Sequence, residues 1–312
     1  MKILLTGVSS FTGFWFANEL SDKGHDVIVT FTKDSLTEYE GIRKERVSLI
    51  LNKITPIFGS KFGDSKFIDI IKGGIDLLCH HGSDVTDYRS PSFNIAHALN
   101  QNTNNISGVI DQMCKNNCNS IIYTGSVFEN DEGSGTEPLK AFSPYGLSKN
   151  LTYQIFKYYC SVYNIKLGKF VIANPFGPFE EFRFTSYLIQ NWFKGSTPQI
   201  KTPSYKRDNI PVDLLAKSYE AYIKNVYQES GTISKINPSG YTESQGEFTK
   251  RFASEMEKRL RIKCDFELLH QTDFSEPLER INTESVLTHY NWNENKFWDK
   301  LAAYYSEKMK II

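Results

Sequence analysis

Short apolar runs alternate with helix-like segments over the first two hundred residues, and this alternation constrains the fold more than any other feature. Each run is bounded by Gly, Asn, Asp or Ser, which is typical of buried strands in a parallel sheet. The predicted strands are Lys2–Thr6, Asp26–Phe31, Ile75–His80, Ser120–Thr124 and Lys166–Ala173. The predicted helices are Thr12–Asp22, Asn104–Lys115 and Ser148–Tyr163. This order predicts βαβ units and an α/β fold with a doubly wound parallel sheet.

The segments outside this pattern are harder to assign. Gly41–Thr55 has helical spacing, but it could also lead into a further strand around Pro56–Gly59. Beyond Asn174 an aromatic, proline-rich stretch precedes a helix-like run through residue 191. Ser244-Gln245-Gly246-Glu247 has the spacing of a capping box before an amphipathic run, and Asn282–Met309 has a helical pattern. We therefore expect a small α/β lobe in the C-terminal third.

Composition excludes several classes of partner. Lysine plus arginine and aspartate plus glutamate each total 36, so the net charge argues against nucleic acid or an anionic membrane surface. No apolar run approaches the ~18–20 residues that cross a bilayer. The N-terminal apolar run ends at Gly7, too early for a secretory signal, so we expect a cytoplasmic protein. Cys114 and Cys118 lack a second ligand pair at metal spacing, and we predict no metal.

A glycine-containing turn joins the first predicted strand to the first helix. A dinucleotide pyrophosphate needs backbone N–H groups at a helix N-terminus and glycines where the main chain approaches it closely. Here Gly7 can make the tight turn, Gly13 can allow helix and strand to pack, and Ser10 occupies the place of the middle glycine. The candidate cofactor-binding residues are Gly7, Ser9, Ser10, Phe11, Thr12 and Gly13.

The end of the second strand indicates which dinucleotide is used. An acidic residue there would bond the adenosine ribose hydroxyls and favour NAD. Phe31 fills that position, and Thr32 and Lys33 could hold a 2′-phosphate, although Asp34 is adjacent. The sequence therefore favours NADP slightly over NAD.

Ser143–Lys149 contains a Tyr-x3-Lys pattern at the start of a predicted helix. Spacing of four places the Tyr145 phenol and the Lys149 ammonium on one helical face. A nearby cation lowers a tyrosine pKa, so that the phenol can exchange a proton with a hydroxyl while hydride moves. The fourth strand ends with the hydroxyls of Thr124 and Ser126, at the edge of the sheet where ligands bind.

These motifs occur in a familiar order. The landmarks are the glycine turn, Gly63-Asp64, Asp76–His80, an Asn100-centred segment, Thr124 and Ser126, Ser143–Lys149, Asn174–Pro178 and Arg207–Asp213. Over nearly its whole length the chain resembles the extended short-chain dehydrogenase/reductase family, in the NAD-dependent epimerase/dehydratase group that acts on sugar nucleotides. The resemblance implies a Rossmann-type domain over residues 1–174, with a return segment at about 207–230. It implies a smaller, mainly substrate-binding α/β lobe over 175–312.

The resemblance also implies roles for individual residues. Tyr145 would be the general acid/base, and Lys149 would hold the nicotinamide ribose and tune Tyr145. Thr124 would orient the reacting sugar hydroxyl, with Ser126 as the alternative. Further from the reacting carbon, Asp64 would contact adenine, and His80 would be a structural member of the cofactor site. Asn174 and Arg207 would contact the sugar and diphosphate of the substrate. Arg183 and Arg280 are weaker candidates for phosphate binding.

Departures from the family narrow the chemistry. Dehydratases of the family carry an Asp-Glu pair after the catalytic Thr, where this chain has Gly125-Ser126. Epimerase–reductases use a Cys, whose position Ser126 occupies, and a His that is missing after Asn174. The remaining hypotheses are an NADPH-dependent 4-keto reductase, slightly favoured, or a 4-epimerase with tightly bound NAD. A cofactor-sensing regulator and a reductase of non-sugar carbonyls are further alternatives.

The resemblance further implies a homodimer. In the family, the helix that carries the Tyr pairs with its copy, together with the helix before the fourth strand. Here the apolar face would be supplied by Phe156, Tyr158, Tyr159 and Tyr163.

Overall fold

The computed structural model describes residues 1–228 and 231–309. Its strands are β1 Lys2–Thr6, β2 Asp26–Phe31, β3 Thr55–Phe58, β4 Leu77–His80, β5 Ser120–Ser126, β6 Ser134–Gly135, β7 Lys166–Ile172, β8 Asn174–Phe176, β9 Gln199–Ile200, β10 Lys206–Pro211, β11 Ile233–Ile236, β12 Pro238–Ser239, β13 Tyr241–Ser244, β14 Glu267–Leu268, β15 Glu279–Ile281 and β16 Glu284–Ser285. Its α-helices are α1 Phe11–Asp22, α2 Gly41–Ile50, α3 Ser65–Lys72, α4 Ile95–Thr103, α5 Ile106–Lys115, α6 Pro144–Val162, α7 Phe184–Phe193, α8 Val212–Gln228, α9 Gln245–Leu260 and α10 Glu294–Met309.

The chain forms two compact units, and both are discontinuous in sequence. Unit 1 comprises Met1–Glu132, Leu139–Ile172 and Ala216–Asn237. Unit 2 comprises Gly133–Pro138, Ala173–Leu215 and Pro238–Ile312. The segment that returns to unit 1 is therefore Ala216–Asn237, whereas the resemblance implies a return segment at about 207–230. Residues 133–138 belong to unit 2, although they fall within the 1–174 range implied for the Rossmann-type domain.

Unit 1 contains a seven-stranded sheet in the order β11-β7-β5-β4-β1-β2-β3, with every neighbouring pair parallel. The order reverses at β1, which pairs with β2 on one side and β4 on the other. The predicted doubly wound α/β fold is confirmed. Both interpretations of the segment after Gly41 hold, because α2 occupies its first ten residues and β3 follows at Thr55.

Aromatic side chains fill both faces of this sheet. On one face Phe156 packs with His80 and Tyr123, and the surrounding core is contributed by α3, α5 and α6. On the other face Phe16 stacks on Tyr219, with ring centroids 3.9 Å apart. A parallel sheet is normally buried on both faces by apolar side chains. Strands in such a sheet consist mostly of apolar residues, and for this reason they can be predicted from apolar runs in the sequence.

Unit 2 has a five-stranded sheet in the order β13-β10-β15-β6, with β8 paired to β10. Ser244 caps α9 by accepting a hydrogen bond from the Glu247 backbone N–H, as its spacing predicts. The predicted helix over Asn282–Met309 is wrong in its first half, because α10 begins only at Glu294. Buried Asn282 donates its amide to the Pro238 carbonyl, and Tyr290 and Asn291 have positive φ angles that a helix excludes.

Among residues 1–228 and 231–309, no helix is long and apolar enough to cross a membrane. The same residues contain no group of three or more His, Cys, Asp or Glu side chains arranged to hold a metal ion.

Candidate active site

The turn between β1 and α1 in unit 1 is shaped for a phosphate group. Gly7 has a φ of +79°, and a Cβ on Gly13 would lie 2.3 Å from the Gly7 carbonyl oxygen. Ser10 caps α1 by accepting a bond from the Gly13 N–H and donates its own hydroxyl to the Gly7 carbonyl, at 2.7 Å. Helix amides and a close-packed glycine pair fit a dinucleotide pyrophosphate. A serine that caps the helix therefore takes the place of the missing middle glycine.

Two residues outside the predicted cofactor contacts support this turn. His81 places Nε2 3.1 Å from both the Ser10 and the Thr12 hydroxyl oxygens. Burial lowers the pKa of His81 to about 3, so the ring is neutral at physiological pH. Arg46, fully buried on α2, donates from Nη1 to the Ser9 carbonyl at 2.8 Å. In the sequence, His81 is visible only as the neighbour of His80, and Arg46 only as one residue of a helical pattern. Neither feature predicts a contact with the turn.

At the adenosine end, Phe31 is buried and stacks on Phe58. Thr32 and Lys33 are exposed beyond it, whereas the Asp34 carboxylate faces Gly59. Asp64 caps α3 by accepting bonds from the backbone N–H groups of Phe67 and Lys61, each at 2.7 Å. The adenine contact of Asp64 and the 2′-phosphate contacts of Thr32 and Lys33 stay predictions.

His80 is a structural residue at the end of β4. Its Nε2 lies 3.1 Å from the Asn102 carbonyl oxygen, and its Nδ1 lies 3.4 Å from the Thr6 hydroxyl. Burial lowers its pKa to about 3. A neutral imidazole with both nitrogens engaged links β4, α4 and β1 beneath the glycine turn.

The helix that carries Tyr145 and Lys149 starts earlier than predicted. Ser143 caps α6 by accepting the Gly146 N–H, and Pro144 occupies its first turn, where the missing proline N–H costs nothing. Lys149 is 3% exposed, and its Nζ donates to the Thr124 carbonyl at 2.6 Å. The same ammonium lies 4.5 Å from the centroid of the Tyr123 ring. Burial lowers the pKa of Lys149 to about 8.

Tyr145 itself lies in the first turn of α6 and is partly exposed. Its ring meets the edges of Tyr88 and Phe93, with centroids 5.5 and 5.9 Å away. Both aromatics belong to the segment between β4 and α4, which sequence reasoning did not connect with the site. Ser90 and Asn94 of this segment and His97 of α4 line a cavity of about 280 Å³.

The two candidate hydroxyls on β5 differ in accessibility. Thr124 is 2% exposed and lies beside Tyr219. Ser126, two residues further along the strand, is partly exposed and accepts a bond from the Phe128 N–H. Exposure favours Ser126 as the sugar contact, while the family resemblance favours Thr124.

Unit 2 brings two of the predicted phosphate residues together. Arg207 on β10 and Arg280 on β15 are register partners on adjacent parallel strands. Arg207 pairs with Glu276 at 2.8 Å. Arg280 lies in the middle of β15 and is fully buried.

The other two candidates lie apart in sequence from this pair. Asn174 on β8 is in register with Asn209 of β10. Arg183 is the N-cap residue directly before α7 and lies 3.9 Å from the Glu181 carboxylate.

Comparison with known proteins identifies the family. The model of the NAD dependent epimerase/dehydratase family matches residues 3–233. The chain therefore belongs to the NAD-dependent epimerase/dehydratase family. A sequence comparison with curated proteins gave no match.

Solved structures share the fold over the whole chain at low identity. UDP-glucose 4-epimerase from Thermotoga maritima with UDP-glucose is 16% identical, covers 99% of this chain and 100% of its own, and has a TM-score of 0.73. UDP-glucose-4-epimerase from Stenotrophomonas maltophila, with bound NAD and formylated UDP-arabinopyranose, is 15% identical, covers 100% of both chains and scores 0.75. UDP-N-acetylglucosamine 4-epimerase from Methanobrevibacter ruminantium, in complex with UDP-N-acetylmuramic acid, is 19% identical, covers 100% of this chain and 99% of its own, and scores 0.70.

Proposed function

We propose that the protein is an NAD(P)-dependent oxidoreductase that acts at C4 of a nucleotide-activated hexose, with Tyr145 as acid/base. The observation that carries the proposal is the buried Lys149 ammonium. It joins the helix of Tyr145 to the end of β5, through its 2.6 Å bond to the Thr124 carbonyl. A buried cation one helical turn from a phenol favours the phenolate form, which a proton-transfer tyrosine needs.

When bound, the dinucleotide would supply or accept hydride at the reacting carbon. Lys149 would hold the nicotinamide ribose, and Tyr145 would give a proton to the C4 oxygen or remove one from it. The glycine turn, with Ser9, Ser10 and Thr12, would receive the pyrophosphate. The paired Arg207 and Arg280 would receive the diphosphate of a sugar nucleotide, the ligand class named for the related solved structures.

Two reactions are compatible with these residues. We favour an NADPH-dependent 4-keto reductase, because Phe31 replaces the acidic residue that favours NAD and exposed Lys33 follows it. A 4-epimerase with permanently bound NAD is the second candidate, and the names of the related structures favour it.

Denaturing the purified protein and identifying any released dinucleotide by mass spectrometry separates the two. We expect an empty site that then binds NADPH more tightly than NADH. Stoichiometric NAD in the supernatant would instead assign the epimerase. Failure to bind either dinucleotide would overturn the proposal as a whole.

The choice of hydroxyl on β5 is tested by Thr124→Val and Ser126→Ala. The variant that loses kcat with unchanged dinucleotide affinity carries the hydroxyl that orients the sugar.

The pKa of Lys149 sets the expected pH dependence. Deprotonation removes the charge that holds the ribose, so dinucleotide affinity should fall as pH rises through about 8. Stability should change in the opposite direction. Because the folded-state pKa lies below the ordinary value of 10.5, the folded protein binds this proton more weakly, and its unfolding free energy rises between about 8 and 10.5. Dinucleotide titrations on both sides of pH 8 test the predicted fall in affinity. Lys149→Met should bind dinucleotide weakly, and its affinity should not show that pH dependence.

We also propose a homodimer formed through α6, with one correction to the predicted surface. Phe156 is fully buried in unit 1 and cannot contribute, and Tyr159 packs partly on the same core. Tyr158, Val162 and Tyr163 are 65%, 60% and 42% exposed. We expect Val162→Glu to convert a dimer into a monomer in sedimentation velocity runs. A wild-type chain that sediments as a monomer would contradict the proposal.

A further inference from the structure

A cluster of three buried charged side chains, Lys169, Glu129 and Glu132, contacts the end of β5. Lys169, on β7, places Nζ 2.6 Å from a carboxylate oxygen of Glu129 and 2.6 Å from one of Glu132. Its ammonium also lies 4.1 Å from the centroid of the Tyr153 ring on α6. All three charged residues are at most 5% exposed. Removing such charges from water is costly, and a buried set of this kind is therefore weak evidence for stability alone.

Glu129 connects this cluster to the end of β5. Its Oε1 accepts a bond from the Ser126 N–H at 2.7 Å, and its own N–H donates to the Ser126 carbonyl at 3.0 Å. A Cβ on Gly125 would lie 2.7 Å from Lys169 Cε and 2.9 Å from Glu129 Oε1. The carboxylate is thus packed against the backbone between the two candidate hydroxyls.

Glu129 also acts on Lys149 through its charge. Burial lowers the pKa of Lys149, Glu129 opposes that shift, and Lys169 adds to it. Neighbours of Lys149 include the Thr124 carbonyl, the Tyr123 ring and the neutral His80 and His81.

Glu132 provides a comparison within the same cluster. It contacts Lys169 from a second direction and also pairs with Lys235, at 3.2 Å.

We propose that Glu129 is a positioning residue of the active site, which fixes the Thr124–Ser126 strand end and holds a buried negative charge at the strand end to which Lys149 donates, with Lys169 as its buried counter-ion. The significance for catalysis rests on the proposed function, because that function gives Lys149 its role. The electrostatic coupling is a property of unit 1 alone.

The coupling can be measured without any substrate. The protein is labelled with [ε-¹³C]lysine, and the signal of Lys149 is identified as the one that Lys149→Met lacks. In Glu129→Gln, which keeps an oxygen able to accept from the Ser126 N–H, we expect the Lys149 titration midpoint to fall by about one pH unit or more. In Glu132→Gln, the matched control, it should stay within a few tenths of a unit.

A double variant separates charge from packing. Adding Lys169→Met to Glu129→Gln removes the opposing ammonium, so the Lys149 midpoint should return towards its wild-type value. A purely structural role predicts further damage and no return. An unchanged midpoint in Glu129→Gln, or an equal fall in Glu132→Gln, would overturn the proposal. The double variant also provides a reading if Glu129→Gln alone does not fold.

Activity gives an independent readout. We expect Glu129→Gln to weaken dinucleotide binding and lower kcat at pH 7, each about twofold or more, and to recover part of both losses at lower pH, where Lys149 is recharged. A wild-type protein that turns over no sugar nucleotide would defeat the proposed function, while the NMR titration would still decide the coupling.

Discussion

Replacing Tyr145 by Phe should lower kcat by about 10²–10⁴-fold, the usual contribution of a positioned proton donor. The phenyl ring keeps its edge contacts with Tyr88 and Phe93, so the fold and the dinucleotide site should be unaffected. We expect the dinucleotide Kd to stay within twofold and kcat to carry the loss. Steady-state kinetics with a panel of nucleotide-activated 4-keto hexoses and their 4-hydroxy forms would measure both.

Tyr158→Phe is the matched control for this experiment. It makes the same chemical change on the same helix at a side chain that is 65% exposed, and it should retain full activity. Wild-type activity in Tyr145→Phe would eliminate Tyr145 as the acid/base.

Gly13→Ala should weaken dinucleotide binding severely. The added Cβ would lie 2.3 Å from the Gly7 carbonyl oxygen and 2.9 Å from the His81 ring, so the turn or the start of α1 must move. Overpacking of this kind costs about 1–3 kcal/mol of stability, and a displaced helix N-terminus loses its aligned amides. We expect at least a hundredfold increase in the Kd for NAD(P)H, with a lower Tm.

Gly231→Ala provides the comparison, because a Cβ there would meet no atom within 4 Å. It should change neither the Kd nor the Tm appreciably. If Gly13→Ala bound dinucleotide as tightly as wild type, the β1–α1 turn could not be the pyrophosphate site.

Much of the sheet was readable from sequence for a physical reason. Strands covered on both faces must be almost wholly apolar, so β1 and β2 were predicted at their observed bounds and β4, β5 and β7 within two residues. The start of α6 was missed by four residues, although Ser143-Pro144 carries a clear capping signal.

The parts of the site that escaped prediction depend on contacts between distant residues. Lys169 meets Glu129 across 40 positions, and Arg46 reaches Ser9 across 37. Neither contact has a periodic or local signature, and a lysine inside an apolar strand suggests a surface position rather than a buried ion pair. Similarly, the helical pattern after Asn282 was overridden by hydrogen bonds from Asn282 to β10 and to Pro238.

The order of segments in unit 1 has a consequence for synthesis of the chain. The seventh strand of the sheet, β11, ends at Ile236, so 236 of 312 residues must be made before β7 acquires its outer neighbour. Until then the edge of β7 offers unpaired backbone N–H and C=O groups to other nascent chains. Substitutions that stabilise the finished fold therefore need not improve the yield of folded protein, because they do not shorten the interval in which this edge is exposed.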